Sequence, residues 1–226
     1  TVYTVDLLGC GRSDKSSITY TNFVYVQMIS DFIKKIIGQK TDVIASGFSG
    51  SFVTMACHNE KELFNKIMLV NPPSLTQLKQ MPNKKDRLLK TALEIPIFGT
   101  LVYHMIVSRD NVNNLFIEKM YYNPFHVDNQ MADAYYEAAH KGGYYTRFLY
   151  SSLAAKYMNI NICHALKALD NSIYIVEGET EPNGKAVTDD YCASNPAVEV
   201  SVLKETKHLP HVEAPEAFLE QVKIFF

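Results

Sequence analysis

The chain has 226 residues, 47% of them hydrophobic, and its 22 lysine and arginine residues nearly balance 24 aspartate and glutamate residues for a net charge of −2. That length supports one substantial core with room for an insertion, and the balanced charge excludes the basic footprint of a nucleic-acid-binding protein. No apolar run reaches the roughly 18–20 residues that span a bilayer, no secretory leader pattern opens the sequence, and Cys10, Cys57, Cys163 and Cys192 lack metal-ligand spacing, reading as free thiols of a soluble cytoplasmic protein.

Thr1-Val2-Tyr3-Thr4-Val5-Asp6 predicts a strand at the start, followed by a glycine-punctuated loop over 6–14. Its two glycines fall short of a dinucleotide-binding fingerprint, which needs a third glycine and an immediate helix. Val24, Met28, Ile29, Phe32, Ile33, Ile36 and Ile37 recur at helical spacing and predict an amphipathic helix over 21–37. Thr21 or Asn22 would cap its start and Gly38 would end it. Val43-Ile44-Ala45, apolar without alternation, predicts a buried parallel strand. Gly47, Gly50 and Ser51 supply the small residues of a sharp turn, and Phe52, Val53, Met55, Ala56 and Cys57 continue as an apolar helix. Ser49 sits at that junction, where a hydroxyl is held above the sheet edge beside the N–H groups of the next helix. A serine that merely caps the helix would look the same, so partners elsewhere must decide.

Ile67-Met68-Leu69-Val70 predicts the next strand, stopped by Asn71-Pro72-Pro73, and the alternation up to this point predicts a parallel sheet. From Pro73 to about Leu169 it gives way to helices over 88–93, 101–107, 112–121, 131–140 and 144–158, punctuated by Asn123-Pro124 and Gly142-Gly143. Tyr103, Tyr121, Tyr122, Tyr135, Tyr136, Tyr144 and Tyr145 fall in this stretch; most are expected to be ordinary packing residues, with two or three left to face a ligand. Strands resume with Ser172-Ile173-Tyr174-Ile175-Val176, followed by the acidic turn Glu177-Gly178-Glu179-Thr180-Glu181-Pro182. Val200-Ser201-Val202-Leu203 predicts the last strand, and Lys207-His208-Leu209-Pro210-His211-Val212-Glu213-Ala214-Pro215-Glu216 follows it. Pro215 opens a final helix whose Phe218, Leu219, Val222 and Phe225 are expected to pack back onto the sheet.

Gly47-Phe48-Ser49-Gly50-Ser51 resembles the G-x-S-x-G nucleophile elbow of the α/β-hydrolase superfamily, with serine in place of the last glycine. The loop from Asp6 to Ser13 resembles the DxxGxGxS loop of that family, in which Asp6 and Ser13 would tie the loop together. Glu181 falls where the family's strand-Gly-x-x-Asp segment supplies the triad acid, with glutamate for aspartate and Glu179 in reserve. His208 matches the histidine of the family's GHxPHxExPE ending, with Lys207 for the usual glycine, and His211 is expected to be structural. The helical stretch resembles the lid of the branch that includes haloalkane dehalogenases, epoxide hydrolases and carbon–carbon bond hydrolases. This resemblance covers nearly the whole chain. It implies an α/β fold with a mostly parallel central sheet flanked by helices, a core made of 1–73 and 170–226, a lid at 74–169, and further strands before Thr1.

The resemblance also implies a chemistry. A serine hydroxyl is too weakly acidic to attack a carbonyl unaided, so Ser49 would be the nucleophile, His208 the general base and then acid, and Glu181 the carboxylate that orients the imidazole. The Gly50 N–H would serve the oxyanion, while the His-Gly pair that commonly supplies a second donor is absent from the sequence. The expected reaction is cleavage of an ester or related acyl bond in a small, mainly apolar substrate, with no cofactor and no metal. Carbon–carbon bond hydrolysis, acyl transfer, lyase chemistry or cofactor-free peroxidation are alternatives on the same residues, as is a ligand sensor acting through a partner at the lid. A nucleophilic serine disfavours dehalogenase and epoxide hydrolase, whose relatives use a carboxylate there.

Overall fold

The computed structural model describes residues 1–226. After a loop over 7–20, α1 (Asn22–Phe32) runs into a wider turn, Ile33–Ile37, which Gly38 closes at φ 71°. β1 (Thr41–Ser46), α2 (Phe48–Asn59) and β2 (Phe64–Val70) follow. The next stretch holds α3 (Lys84–Glu94), α4 (Phe98–Ile106), α5 (Arg109–Leu115), α6 (Asn129–His140) and α7 (Thr146–Ala154), close to the expected helices. The chain closes with α8 (Cys163–Ala168), β3 (Ile173–Gly178), α9 (Gly184–Ser194), β4 (Val198–Leu203) and α10 (Pro215–Phe225). The four strands form one parallel sheet in the order β1-β2-β3-β4. No helix is long and apolar enough to cross a membrane.

Parallel strands connected by helices are covered on both faces, so the central ones read as continuous apolar runs. Ile67–Val70 of β2 and Ile173–Val176 of β3 are indeed buried throughout. One face packs against α1, α2 and α8 through Tyr25, Phe52, Ala56, Leu69, Leu166 and Ile175. On the other face, Met68, Tyr174, Val176 and Leu203 receive Ala217, Phe218, Val222 and Phe225 of α10. Burying each large side chain of this kind contributes about 1.5–3 kcal/mol. Leu219, expected on the same face, is exposed, because one residue on from Phe218 turns the helix by about 100°.

Three further expectations give way. β1 is not wholly buried: only Ala45 is, while Ile44 is exposed, since β1 borders the sheet and lacks a neighbour on its outer side. Residues 1–6 form no strand; they join no ladder, and Tyr3 sets its ring edge-on to Phe32 at 6.2 Å. A β-rich sequence without a backbone partner has nothing to pair with. The Thr21 side chain makes no cap hydrogen bond, and the buried Asn22 amide donates instead to the Asn159 carbonyl at 2.6 Å. The loop after residue 6 is tied as expected: Arg12 N–H donates to the Asp6 carboxylate at 2.8 Å, and the Ser13 hydroxyl to the Asp6 carbonyl at 2.6 Å.

Candidate active site

In a parallel sheet the carboxyl ends of the strands share one edge, where ligands of α/β proteins are bound. β1 reaches that edge at Ser46, which pairs with Val70, and the Gly47 N–H donates to the Val70 carbonyl at 2.9 Å. Gly47 then adopts φ 56° and ψ −131°, a left-handed extended backbone that side chains resist. α2 begins at the next residue. Ser49 therefore lies inside the first turn of α2, and its hydroxyl donates to the Ser46 carbonyl at 2.6 Å. The Gly50 N–H is also engaged, donating to the Gly47 carbonyl at 3.1 Å. Gly50 faces β2, where an added Cβ would stand 3.1 Å from the Leu69 side chain, and the buried Ser51 hydroxyl donates to the Phe48 carbonyl at 2.7 Å. Smallness at Gly50 and Ser51 serves helix-to-sheet packing.

β2 is followed by Asn71, a buried residue at φ 43°, a conformation asparagine tolerates better than most side chains. Its amide donates to the carbonyls of Lys207 at 2.8 Å and His208 at 2.9 Å, and its oxygen accepts from the Gly178 N–H at 3.0 Å. One side chain thus pins the loop after β4 to the ends of β2 and β3. On that loop His208 Nδ1 lies 3.1 and 3.2 Å from the two carboxylate oxygens of Glu181. The hydrogen bond that His208 Nδ1 donates to Glu181 raises the His208 pKa above its ordinary value; burial opposes this, and the charges of Glu181 and Glu213 add to the rise. Glu179 is engaged elsewhere, accepting from the Glu205 N–H at 3.0 Å. His211 is partly buried and tilted against Phe218 at 5.8 Å, and burial pushes its pKa down.

The helical stretch closes on the same loop. His208 N–H donates to the Met120 carbonyl at 3.1 Å, and Lys207 Nζ to the Glu118 carbonyl at 2.5 Å. The Glu213 carboxylate accepts from Lys207 N–H at 2.7 Å and Tyr122 N–H at 2.6 Å. Leu209 is buried among Val112, Phe116, Tyr121 and Ala132.

Of the expected site residues, the structure brings Glu181 and His208 together. Ser49 is bonded to Ser46, and no hydrogen bond joins it to His208. Asn71 and Glu213 were missed as site residues; the signal for Asn71 was its place at the strand end, where it read only as a strand stop. No three histidine, cysteine, aspartate or glutamate side chains gather as metal ligands. What remains is an imidazole held through Nδ1 by a carboxylate, a geometry that fixes one tautomer and leaves Nε2 to move a proton.

The profile of the alpha/beta hydrolase family matches residues 1–221. None of the curated proteins compared with the chain matches it. Among solved structures it is similar to 2-hydroxy-6-oxo-6-phenylhexa-2,4-dienoate hydrolase from Rhodococcus sp. strain RHA1, at 16% identity and a TM-score of 0.73 over 98% of this chain and 78% of that one. It is similar to a meta-cleavage product hydrolase from Pseudomonas fluorescens IP01, at 17% identity and a TM-score of 0.73 over 98% and 77%. A thermophilic esterase from Thermogutta terrifontis aligns at 11% identity and a TM-score of 0.72 over 97% and 76%. At such identities these structures share the fold, and the sequence profile carries the assignment: the chain belongs to the alpha/beta hydrolase family.

Proposed function

We propose that the chain hydrolyses an ester or related acyl bond of a small, mainly apolar substrate, with His208 as the acid–base group and Glu181 as the carboxylate that orients it. The observation that carries this reading is the Nδ1 contact of 3.1 Å between the two side chains. With Nδ1–H held by Glu181, Nε2 takes a proton from a hydroxyl as its oxygen adds to the carbonyl, and returns it to the leaving group. The sequence resemblance gives that hydroxyl to Ser49, whereas the structure bonds the Ser49 hydroxyl to the Ser46 carbonyl; the role proposed for His208 is the same whether the attacking O–H is a serine's or a water's.

Residues 74–169 act, on this reading, as a lid over the imidazole. Support comes from the bonds of Glu118, Met120 and Tyr122 to the His208 loop and from Leu209 packed among lid side chains. A cover rich in tyrosine, phenylalanine and methionine favours apolar acyl groups over charged ones.

The test is a panel of p-nitrophenyl esters from acetate to octanoate, with a succinyl half-ester and a dienoate of the kind named for the Rhodococcus neighbour. Neutral esters of moderate chain length are expected to turn over fastest, and His208→Ala to lose at least about 10²-fold. A His208→Ala protein as active as its parent would end this reading.

A further inference from the structure

We infer that Gly47, not Ser49, stands at the nucleophile position of this elbow, so that the His208–Glu181 pair activates a water molecule directly and no acyl-enzyme forms. The inference rests on the hydrolytic role proposed for His208. A nucleophile elbow places its reactive residue on the strained turn between strand and helix, with the side chain standing above the sheet. Here the ladder runs to Ser46, the helix starts at Phe48, and the single residue between them carries φ 56° and ψ −131°. Ser49 is two residues further on. Side chains in a helix lean toward its N-terminus, which is how the Ser49 hydroxyl comes to bond the Ser46 carbonyl.

The surroundings of Gly47 agree. A Cβ built on it meets nothing within 4 Å, so the space where a nucleophilic side chain would stand is open, whereas the same construction at Gly50 runs into Leu69. Gly47 is hydrogen-bonded to Val70, and the next residue, Asn71, holds the His208 carbonyl. The open space above the turn and the imidazole loop are thus fixed to consecutive residues of one strand end. The oxyanion donor shifts in step. With the Gly50 N–H spent on the Gly47 carbonyl, the donor directly after the elbow residue is the Phe48 N–H, in the first turn of α2 where N–H groups have no acceptor within the helix.

The reaction is then a single displacement. A water O–H gives its proton to His208 Nε2 while the water oxygen bonds to the carbonyl carbon, and the C=O pair moves onto the oxygen facing the Phe48 N–H. Collapse of that adduct breaks the bond to the alkoxide, which takes the proton from Nε2. Water and ester are consumed, acid and alcohol are released, and the imidazole returns to its starting state.

Ester turnover, pre-steady-state bursts and mass-spectrometric fluorophosphonate labelling are measured on the parent chain, Ser49→Ala, Gly47→Ser and His208→Ala. The parent is expected to hydrolyse without a burst and to remain unlabelled. Ser49→Ala should stay within about 3-fold of parent, against the roughly 10⁶-fold loss that follows removal of a triad serine, and Gly47→Ser should acquire the label at position 47. Labelling of the parent at Ser49, or a loss of 10²-fold or more in Ser49→Ala, overturns the inference and leaves the hydrolytic reading standing. If the parent turns over no ester, the hydrolytic reading fails on its own, and labelling of Gly47→Ser still decides the elbow position. A folded Gly47→Ser protein without label at position 47 overturns the inference. Should φ 56° prevent that variant from folding, Ser49→Ala decides alone, because alanine is well suited to a helical site.

Discussion

At His208 the charge state is set by two carboxylates. Its hydrogen bond to Glu181 and the charges of Glu181 and Glu213 hold its pKa above the ordinary histidine value, against burial. On the proposed reading the proton acceptor is the neutral imidazole, so activity should be lost as pH falls through that raised value. The acid limb of kcat/KM is therefore expected to have its midpoint above about 6.5. Glu181→Gln removes the first cause of the rise, so the limb should move to lower pH while turnover drops by about 10²–10⁴-fold. A limb that stays in place would mean that another group titrates. The stability linkage carries the opposite sign: a pKa raised by folding stabilises the fold at low pH, and that contribution fades as pH climbs through the folded value. The contact between Glu181 and His208 was legible because each residue lies just beyond a strand in a recognisable motif. Choosing Glu181 over Glu179 rested on position after Gly178, and the structure gives Glu179 a different task, at the Glu205 N–H. Asn71 was not legible as a clamp, because its three partners sit more than a hundred residues away.

The same limit appears at the level of elements. The helices between β2 and β3 could be read from their 3.6-residue spacing, and β2 and β3 from unbroken apolar runs. Two ends were misplaced. Residues 1–6 have strand composition but no ladder partner. The strand expected over 43–45 runs on to Ser46, paired with Val70, and this one extra residue sets the turn at Gly47. A serine flanked by glycines draws attention to itself, yet the ladder, not the motif, decides which residue occupies the turn. Among the helices, Arg147 is the element-level anchor. Its buried guanidinium donates to the Tyr144 carbonyl at 2.5 Å, Thr100 Oγ1 at 3.2 Å and the Glu94 carbonyl at 3.3 Å, and it lies 4.6 Å from the Phe148 ring. It therefore joins α3, α4 and α7. Arg147→Met keeps much of the stem but strands those acceptors, and should destabilise the chain by about 1.5–3 kcal/mol in a urea titration. An unchanged midpoint and slope would show that the three helices hold together without it.

On the scale of the whole molecule, the helical stretch enters the main core through Met158 and Ile160 and is also tied to the His208 loop, a junction that no local pattern in the sequence announces because it links residues some ninety positions apart. Glu213 is its centre. One carboxylate oxygen accepts from Lys207 N–H and the other from Tyr122 N–H, with the His208–Met120 and Lys207–Glu118 bonds on either side. At the other end of the helical stretch, Leu88, Phe98, Leu101 and Met105 are exposed on α3 and α4. Glu213→Ala leaves two backbone donors without their acceptor, a cost of about 1–3 kcal/mol each if they stay buried, so the junction should open locally before the sheet does. Hydrogen exchange is expected to quicken at the Tyr122 and Lys207 amides and to stay slow across β2 and β3. Turnover should fall with the histidine loop loosened, although Glu213 touches neither Nε2 nor the turn at Gly47. Exchange at Tyr122 and Lys207 that matches the parent would show that the remaining bonds hold the junction without Glu213.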